Sequence, residues 1–113
     1  MKPEMFDIEL NEIADFAKVL ANPARLAILK YLATSKSCIS GDISDHLPLS
    51  RTTVSQHLKE LRNMGLIHGE IAGLKINYCL CNTTITEKLK QFEAFFEPIK
   101  AASVPCNSNK PCE

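Results

Sequence analysis

Apolar residues in the first third of the chain recur at helical spacing and predict two consecutive helices. The residues that share one face of the first helix are Ile13, Phe16, Ala17 and Leu20. Asn22 and Pro23 then form a helix-start signal, because asparagine caps a helix N-terminus and proline suits the first helical position. The apolar stripe predicted for the second helix is Leu26, Leu29 and Leu32.

The centre of the chain has the pattern of a helix-turn-helix. A short helix is predicted after Ser40, with Ile43 and Leu47 facing inward and Pro48 ending it. Only a turn separates this segment from the next helical pattern. Two helices joined by so short a turn are typical of a helix-turn-helix.

The second helix of this pair is predicted from about Arg51 to Met64. Ser50 is a favourable N-cap and Gly65 supplies the C-terminal stop. The apolar residues recur at spacings of four and three, and they are Val54, Leu58 and Leu61. In a helix-turn-helix this second helix enters the DNA major groove.

A β-hairpin is predicted directly after the helix-turn-helix, in the position of a wing. Its strands cover 66–71 and 74–80, with a turn at Ala72-Gly73. In the second strand, Ile76, Tyr78 and Leu80 alternate with Lys75, Asn77 and Cys79, which is the period of a half-buried strand.

The last predicted helix opens with a capping box formed by Thr84 and Glu87. Its apolar residues recur about every 3.5 positions, a spacing suited to packing along another helix. They are Ile85, Leu89, Phe92, Phe96 and Ile99. In so short a chain, such a stripe is most economically buried at a dimer interface.

These patterns together predict a mainly α protein with a small β-hairpin. We expect a winged helix-turn-helix of five helices and a two-stranded wing, dimerising through the first and last helices. Residues 1–102 would form the DNA-binding and dimerisation domain, and 103–113 a flexible cysteine-containing tail. A length of 113 residues and an apolar fraction of 45% suit one globular domain. The acidic, proline-broken start is not a secretory signal, which favours the cytoplasm.

The formal net charge is zero, so bulk electrostatics give no support to DNA binding. The support comes from the polar face of the Arg51–Met64 helix, whose short hydrogen-bonding side chains suit base edges and whose cations suit phosphates. The candidate DNA contacts, with one lysine beside the wing turn, are Ser50, Arg51, Thr52, Thr53, Ser55, Gln56, His57, Lys59 and Lys75. An ordinary solvated helix face is the alternative, and His57 also suits a packing role.

The stretch from Leu49 to Ile67 closely resembles the recognition helix of the ArsR/SmtB family of metal- and metalloid-responsive repressors. Ala21 to Leu29 is similar to the family's second helix, which begins with a Pro-x-Arg segment. The likeness covers about residues 8–100. It implies a homodimer that binds double-stranded operator DNA, needs no cofactor for this and, in most members, releases it when an inducer binds.

The family's inducer sites match this sequence incompletely. A zinc site on the last helix is excluded, because 85–100 contains no His or Asp. Cys38 resembles the start of a cysteine site on the third helix, but Ser40 stands where a second thiol would be. Cys106 and Cys112 could supply the missing sulfurs, which suggests an arsenite or soft-metal site at Cys38, Cys106 and Cys112.

Other interpretations remain open. The protein could be a repressor that responds to oxidation of its five cysteines. It could also be a repressor without an inducer, in which the tail cysteines have no function. Cys79 and Cys81 could join a metal or thiol site, although packing beneath the wing suits them better. The fold could also serve only as a protein-interaction module. An enzyme is not expected, because no nucleophile–base arrangement or phosphate-binding glycine loop is present.

Overall fold

The computed structural model describes residues 3–35, 43–72 and 75–102. Within these ranges the chain forms four α-helices, two short 3₁₀ segments and one antiparallel hairpin. The α-helices are α1 (Ile8–Leu20), α2 (Pro23–Ser35), α3 (Arg51–Asn63) and α4 (Asn82–Ala101), and the strands are β1 (Ile67–Ala72) and β2 (Lys75–Leu80). The element order confirms a mainly helical winged helix-turn-helix. In the described part of the chain, no helix combines the length and apolarity needed to cross a membrane.

One hydrophobic core joins the first three helices to the base of the hairpin. The stripe predicted on α3 is confirmed, since Val54, Leu58 and Leu61 are all buried. Leu66 and Ile67, at the entry to β1, are fully buried against the same cluster. α3 is therefore held by its apolar side, which leaves its polar side outward.

The stripe predicted for α2 is correct at Leu32 but wrong at Leu26. Leu26 is 48% exposed, whereas Ile28 is 0% and Leu32 is 3% exposed. Leu29 is half-buried. The helix is apolar on several sides, and tertiary packing against both α1 and α3 selects Ile28 rather than Leu26 for the core.

The short helix predicted before Pro48 is a 3₁₀ segment, Ile43–His46, rather than an α-helix. This reduces the predicted five helices to four in the described ranges. Proline has no N–H and disfavours helical geometry at the preceding residue, so Leu47 cannot extend the turn. Ile43 is nevertheless buried at 2% exposure and anchors the segment against α3, as predicted.

The hairpin pairs the two strands in register from Ile67–Leu80 to Ala72–Lys75. The N–H of Cys81 donates to the carbonyl oxygen of Leu66 over 2.9 Å, which ties the base of the hairpin to the end of α3. Near this base both faces of β2 are covered, because Cys79 is 7% exposed and Leu80 is half-buried. The predicted alternation of buried and exposed positions therefore fades at the base.

The capping box predicted at the start of α4 is wrong, since the helix begins at Asn82 and its N-cap is Cys81. Thr84 is half-buried inside the first turn of α4, with its methyl group beside Gly65 at the end of α3. Further along, Phe92 packs edge-on against Phe16 of α1, with ring centroids 6.0 Å apart. α4 contributes no fully buried residue to the core.

Candidate nucleic-acid interface

The polar face of α3 is exposed, and most of the predicted DNA contacts lie on it. The exposed members in the first two and a half turns are Arg51, Thr52, Ser55, Gln56 and Lys59. Helical geometry places them opposite the buried stripe, so no rearrangement of the core is needed to present them. The surface combines two cations with uncharged donors and acceptors, which is the chemistry needed for phosphates and base edges.

Ser50 and Thr53 form the cap of this helix. The Ser50 side chain accepts from the Thr53 backbone N–H over 3.2 Å, and its hydroxyl donates to the Thr53 hydroxyl over 2.9 Å. The N-cap prediction at Ser50 is therefore confirmed. Both residues were also predicted to contact DNA, and that role stays a prediction.

His57 lies at the border between the polar face and the core. It is half-buried, and its Nδ1 accepts a hydrogen bond of 3.1 Å from Nε of Arg25. Arg25 belongs to α2 and lies 32 positions away in sequence. Sequence patterns gave no signal of this contact, although the Pro-x-Arg segment marked Arg25 as a family feature.

Lys75 is the first residue of β2 and pairs with Ala72 of β1. Its backbone is therefore at the outer end of the wing, as expected for a residue that reaches beyond the recognition helix. Its side chain is outside the described structure, so its contact with DNA stays a prediction.

The proposed metal ligands Cys38, Cys106 and Cys112 all lie outside the described residues. Among the residues that are described, no group of three His, Cys, Asp or Glu side chains is arranged to hold a metal ion.

The two cysteines at the base of the wing differ in state. Cys79 is buried and disulfide-bonded, whereas Cys81 is a free, half-buried cysteine. Nδ1 of His68 lies 3.0 Å from Sγ of Cys81. Cys79 is buried, as expected for packing beneath the wing, but its disulfide bond was not predicted from the sequence.

Known transcriptional regulators are similar to this chain in sequence and fold. The model of the bacterial regulatory protein arsR family matches residues 22–68, which include the helix-turn-helix. The HTH-type transcriptional regulator CmtR of Mycobacterium tuberculosis is 33% identical over 87 residues, covering 75% of this chain and 73% of that protein. The chain belongs to the ArsR/SmtB family of transcriptional regulators.

Further similarities agree with this ArsR/SmtB assignment. The regulator NmtR of Mycobacterium tuberculosis is 32% identical over 80 residues, covering 71% of this chain and 66% of that protein. The NMR structure of CmtR, a cadmium metal-sensor, matches with a TM-score of 0.50 and 27% identity over 88% of this chain and 95% of that one. An ArsR-like regulator from Rhodococcus sp. RHA1 matches with a TM-score of 0.68 and 23% identity over 80% and 85% of the two chains, a likeness of fold. ArsR/SmtB proteins are regulators and not enzymes, in agreement with the sequence.

Proposed function

We propose that this ArsR/SmtB protein is a sequence-specific DNA-binding repressor that reads its operator with α3. The observation that carries the proposal is the separation of the two sides of α3. One side is buried in the core, and the other presents uncharged polar groups with flanking cations. A helix held in this way can enter the major groove while its supporting core stays dry.

Individual roles follow from side-chain chemistry. Arg51 suits a bidentate contact with guanine, and Gln56 suits a bidentate contact with adenine. Lys59, farther along the face, suits a phosphate oxygen. Lys75 at the outer end of the wing suits the sugar-phosphate backbone or the minor groove.

We also propose that the functional unit is a homodimer formed through α1 and α4. Large apolar side chains remain open to solvent on and beside these helices in the single chain: Met5 (74%), Ile8 (76%), Leu89 (44%), Phe96 (38%) and Ile99 (53%). The two helices pack on each other, with Gln91 donating to Glu12 over 2.9 Å. A two-fold dimer would bury these residues and place two α3 helices on half-sites about one DNA turn (~34 Å) apart.

For the inducer we propose a thiophilic metal or metalloid bound by Cys38, Cys106 and Cys112. The similarity to the cadmium sensor CmtR supports a soft-metal signal for this chain. Thiolates are the ligands that soft metals and trivalent arsenic prefer. Metal binding by these three cysteines would join the chain before Ile43 to the chain after Ala102, and such a link can shift the DNA-binding state.

A thiol-redox signal is the second candidate, and the disulfide at Cys79 is the observation that favours it. Forming a disulfide from two thiols releases two protons and two electrons, which a peroxide accepts as it is reduced to water. Because Cys79 is buried in β2 and pairs with His68 of β1, which packs on α3, breaking or forming this bond would change packing next to α3.

The DNA proposal is tested by mobility shift on the DNA upstream of the protein's own coding region, under reducing conditions. Arg51→Ala and Gln56→Ala should each weaken binding about 5- to 150-fold, since a good base contact contributes ~1–3 kcal/mol. Lys90→Gln, on the exposed far side of α4, removes a charge without touching α3 and should bind as the wild type does. Wild-type affinity in both α3 variants would remove the DNA-reading role.

The two signals are separated by repeating the assay with arsenite, cadmium, zinc or hydrogen peroxide. A metal or metalloid signal predicts release by the soft ion, and loss of that release in Cys38→Ser and in a chain truncated before Cys106. A redox signal predicts release by peroxide alone, and loss of that response in Cys79→Ser. An unchanged response to the ion in the truncated chain would show that the tail takes no part.

A further inference from the structure

Arg25 of α2 links its own helix to α1 and to α3. It lies in the first turn of α2, and its Nη1 donates to the carbonyl oxygen of Val19 in α1 over 3.2 Å. Its Nε donates to Nδ1 of His57 in α3 over 3.1 Å. Arg25 itself is half-buried, and it donates in both of these hydrogen bonds.

The contact fixes which nitrogen of His57 carries the proton. A guanidinium has five N–H donors and no acceptor, so Nδ1 must use its lone pair toward Arg25. In a neutral imidazole the proton is then on Nε2, because the bond made by one ring nitrogen sets the state of the other. Arg25 therefore turns Nε2 of His57 into a donor.

His57 lies at the flank of the α3 face that would contact DNA in the proposed complex. His57 is half-buried, and among the described residues its only hydrogen bond is the one that Nδ1 accepts from Arg25. On the helical wheel His57 is at the flank of the polar face, next to Thr53. A helix in the major groove has its flanks along the phosphate walls and its centre toward the bases.

We propose that Arg25 is a positioning residue for operator binding, and that the Nε2–H of His57 which it fixes donates to a phosphate oxygen of the DNA backbone. The inference rests on the proposed DNA-binding function. A phosphate oxygen only accepts hydrogen bonds, so the other tautomer would point a lone pair at it and lose the contact. Arg25 thus acts on DNA affinity without touching DNA.

The tautomer is tested first, without DNA. Long-range ¹H–¹⁵N correlation spectra of the full-length protein should show His57 protonated at Nε2 and bare at Nδ1. Arg25→Met, which removes the donor, should give a mixture of tautomers while the amide spectrum of the core is kept. A wild-type spectrum with the proton on Nδ1 would overturn the inference whatever the DNA result.

The phosphate contact is tested by two substitutions of His57, one that keeps the acceptor at Nδ1 and one that keeps the donor at Nε2. His57→Asn retains an acceptor near Nδ1 but lacks the distal donor, and should weaken operator binding about tenfold, as for a hydrogen bond to a charged group. His57→Gln retains a distal N–H and should restore most of that loss. Equal affinity of His57→Asn and wild type would overturn the inference and leave the DNA-binding proposal standing.

Salt dependence separates a neutral donor from a charged contact. His57→Asn should leave the slope of log K against log salt unchanged, because a neutral imidazole releases no counterion. Lys59→Gln is the matched comparison and should lower the magnitude of that slope by about 0.9. A similar decrease in His57→Asn would mean a charged imidazolium and would overturn the tautomer argument, whereas a wild type that binds no operator would overturn both proposals.

Discussion

Two residues set the ends of the recognition helix, and each does so through its own local chemistry. Ser50 satisfies a backbone N–H that the first turn leaves without a helical partner. Gly65 takes a φ of +82°, a left-handed conformation that ends α3 and turns the chain into β1. The length and direction of α3 therefore depend on these two positions.

Replacing the cap should destabilise the protein. Ser50→Ala removes the acceptor for the Thr53 N–H and should lower the free energy of unfolding by about 1 kcal/mol. Ser55→Ala, on the exposed face of the same helix, is the matched control and should change it by less than about 0.5 kcal/mol. Urea unfolding followed by circular dichroism measures both, and equal stability of the two variants would contradict the capping role.

Replacing the left-handed glycine should also destabilise. Gly65→Ala forces a side chain into positive φ, at a cost of about 1 kcal/mol or more, with its Cβ 3.4 Å from Thr84. Gly69→Ala adds the same methyl group to an exposed position of β1, where we expect no loss of stability. Thermal unfolding of both variants checks this; a Gly65→Ala protein as stable as Gly69→Ala would show that the turn tolerates a Cβ.

Among the helices, those that separate polar from apolar residues most clearly are the ones whose buried face is predicted correctly from sequence. α3 has one narrow apolar stripe, so its phase, cap and stop were all predictable. α2 is apolar on several sides, and only its neighbours decide that Ile28 faces the core. The 3₁₀ segment before Pro48 was too short for periodicity to distinguish from an α-helix.

The same limit applies to the candidate interface. Exposure of the α3 polar face followed from the helical period, so most candidate contacts were recognisable from the sequence. The bond from Arg25 to His57 was not, because it depends on how α2 packs across α3. The order and type of the helices and strands were therefore predictable from sequence. The pairing of side chains far apart in sequence was visible only in the three-dimensional structure.

The rotational phase of α2 has a direct test. Ile28→Ala should cost about 2–5 kcal/mol of unfolding free energy, because it empties a fully buried site. Leu26→Ala, two positions earlier and 48% exposed, should cost less than about 1 kcal/mol. The stripe predicted from sequence alone requires the opposite order, so the ranking of the two variants in urea unfolding decides between the two phases.

At the scale of the whole molecule, the exposed apolar side chains of α1 and α4 support assembly into a dimer. Leu89→Glu should weaken dimerisation at least about 100-fold, since both copies lose an apolar contact of ~1.5–3 kcal/mol and gain a buried charge. Ala94→Glu places the same side chain on the opposite, exposed side of α4 and should leave association unchanged. Sedimentation equilibrium measures both; a wild-type monomer, or a Leu89→Glu dimer of full strength, would contradict this interface.

The base preference of the Gln56→Ala variant shows whether α3 reads bases. Affinities of wild type and variant are measured by fluorescence anisotropy for an operator and for each single base-pair substitution of it, at one salt concentration. We predict that Gln56→Ala loses about 1–3 kcal/mol of discrimination at one symmetry-related pair of positions and keeps the wild-type preference elsewhere. An unchanged preference at every position in Gln56→Ala, or a wild type without base preference, would contradict the account.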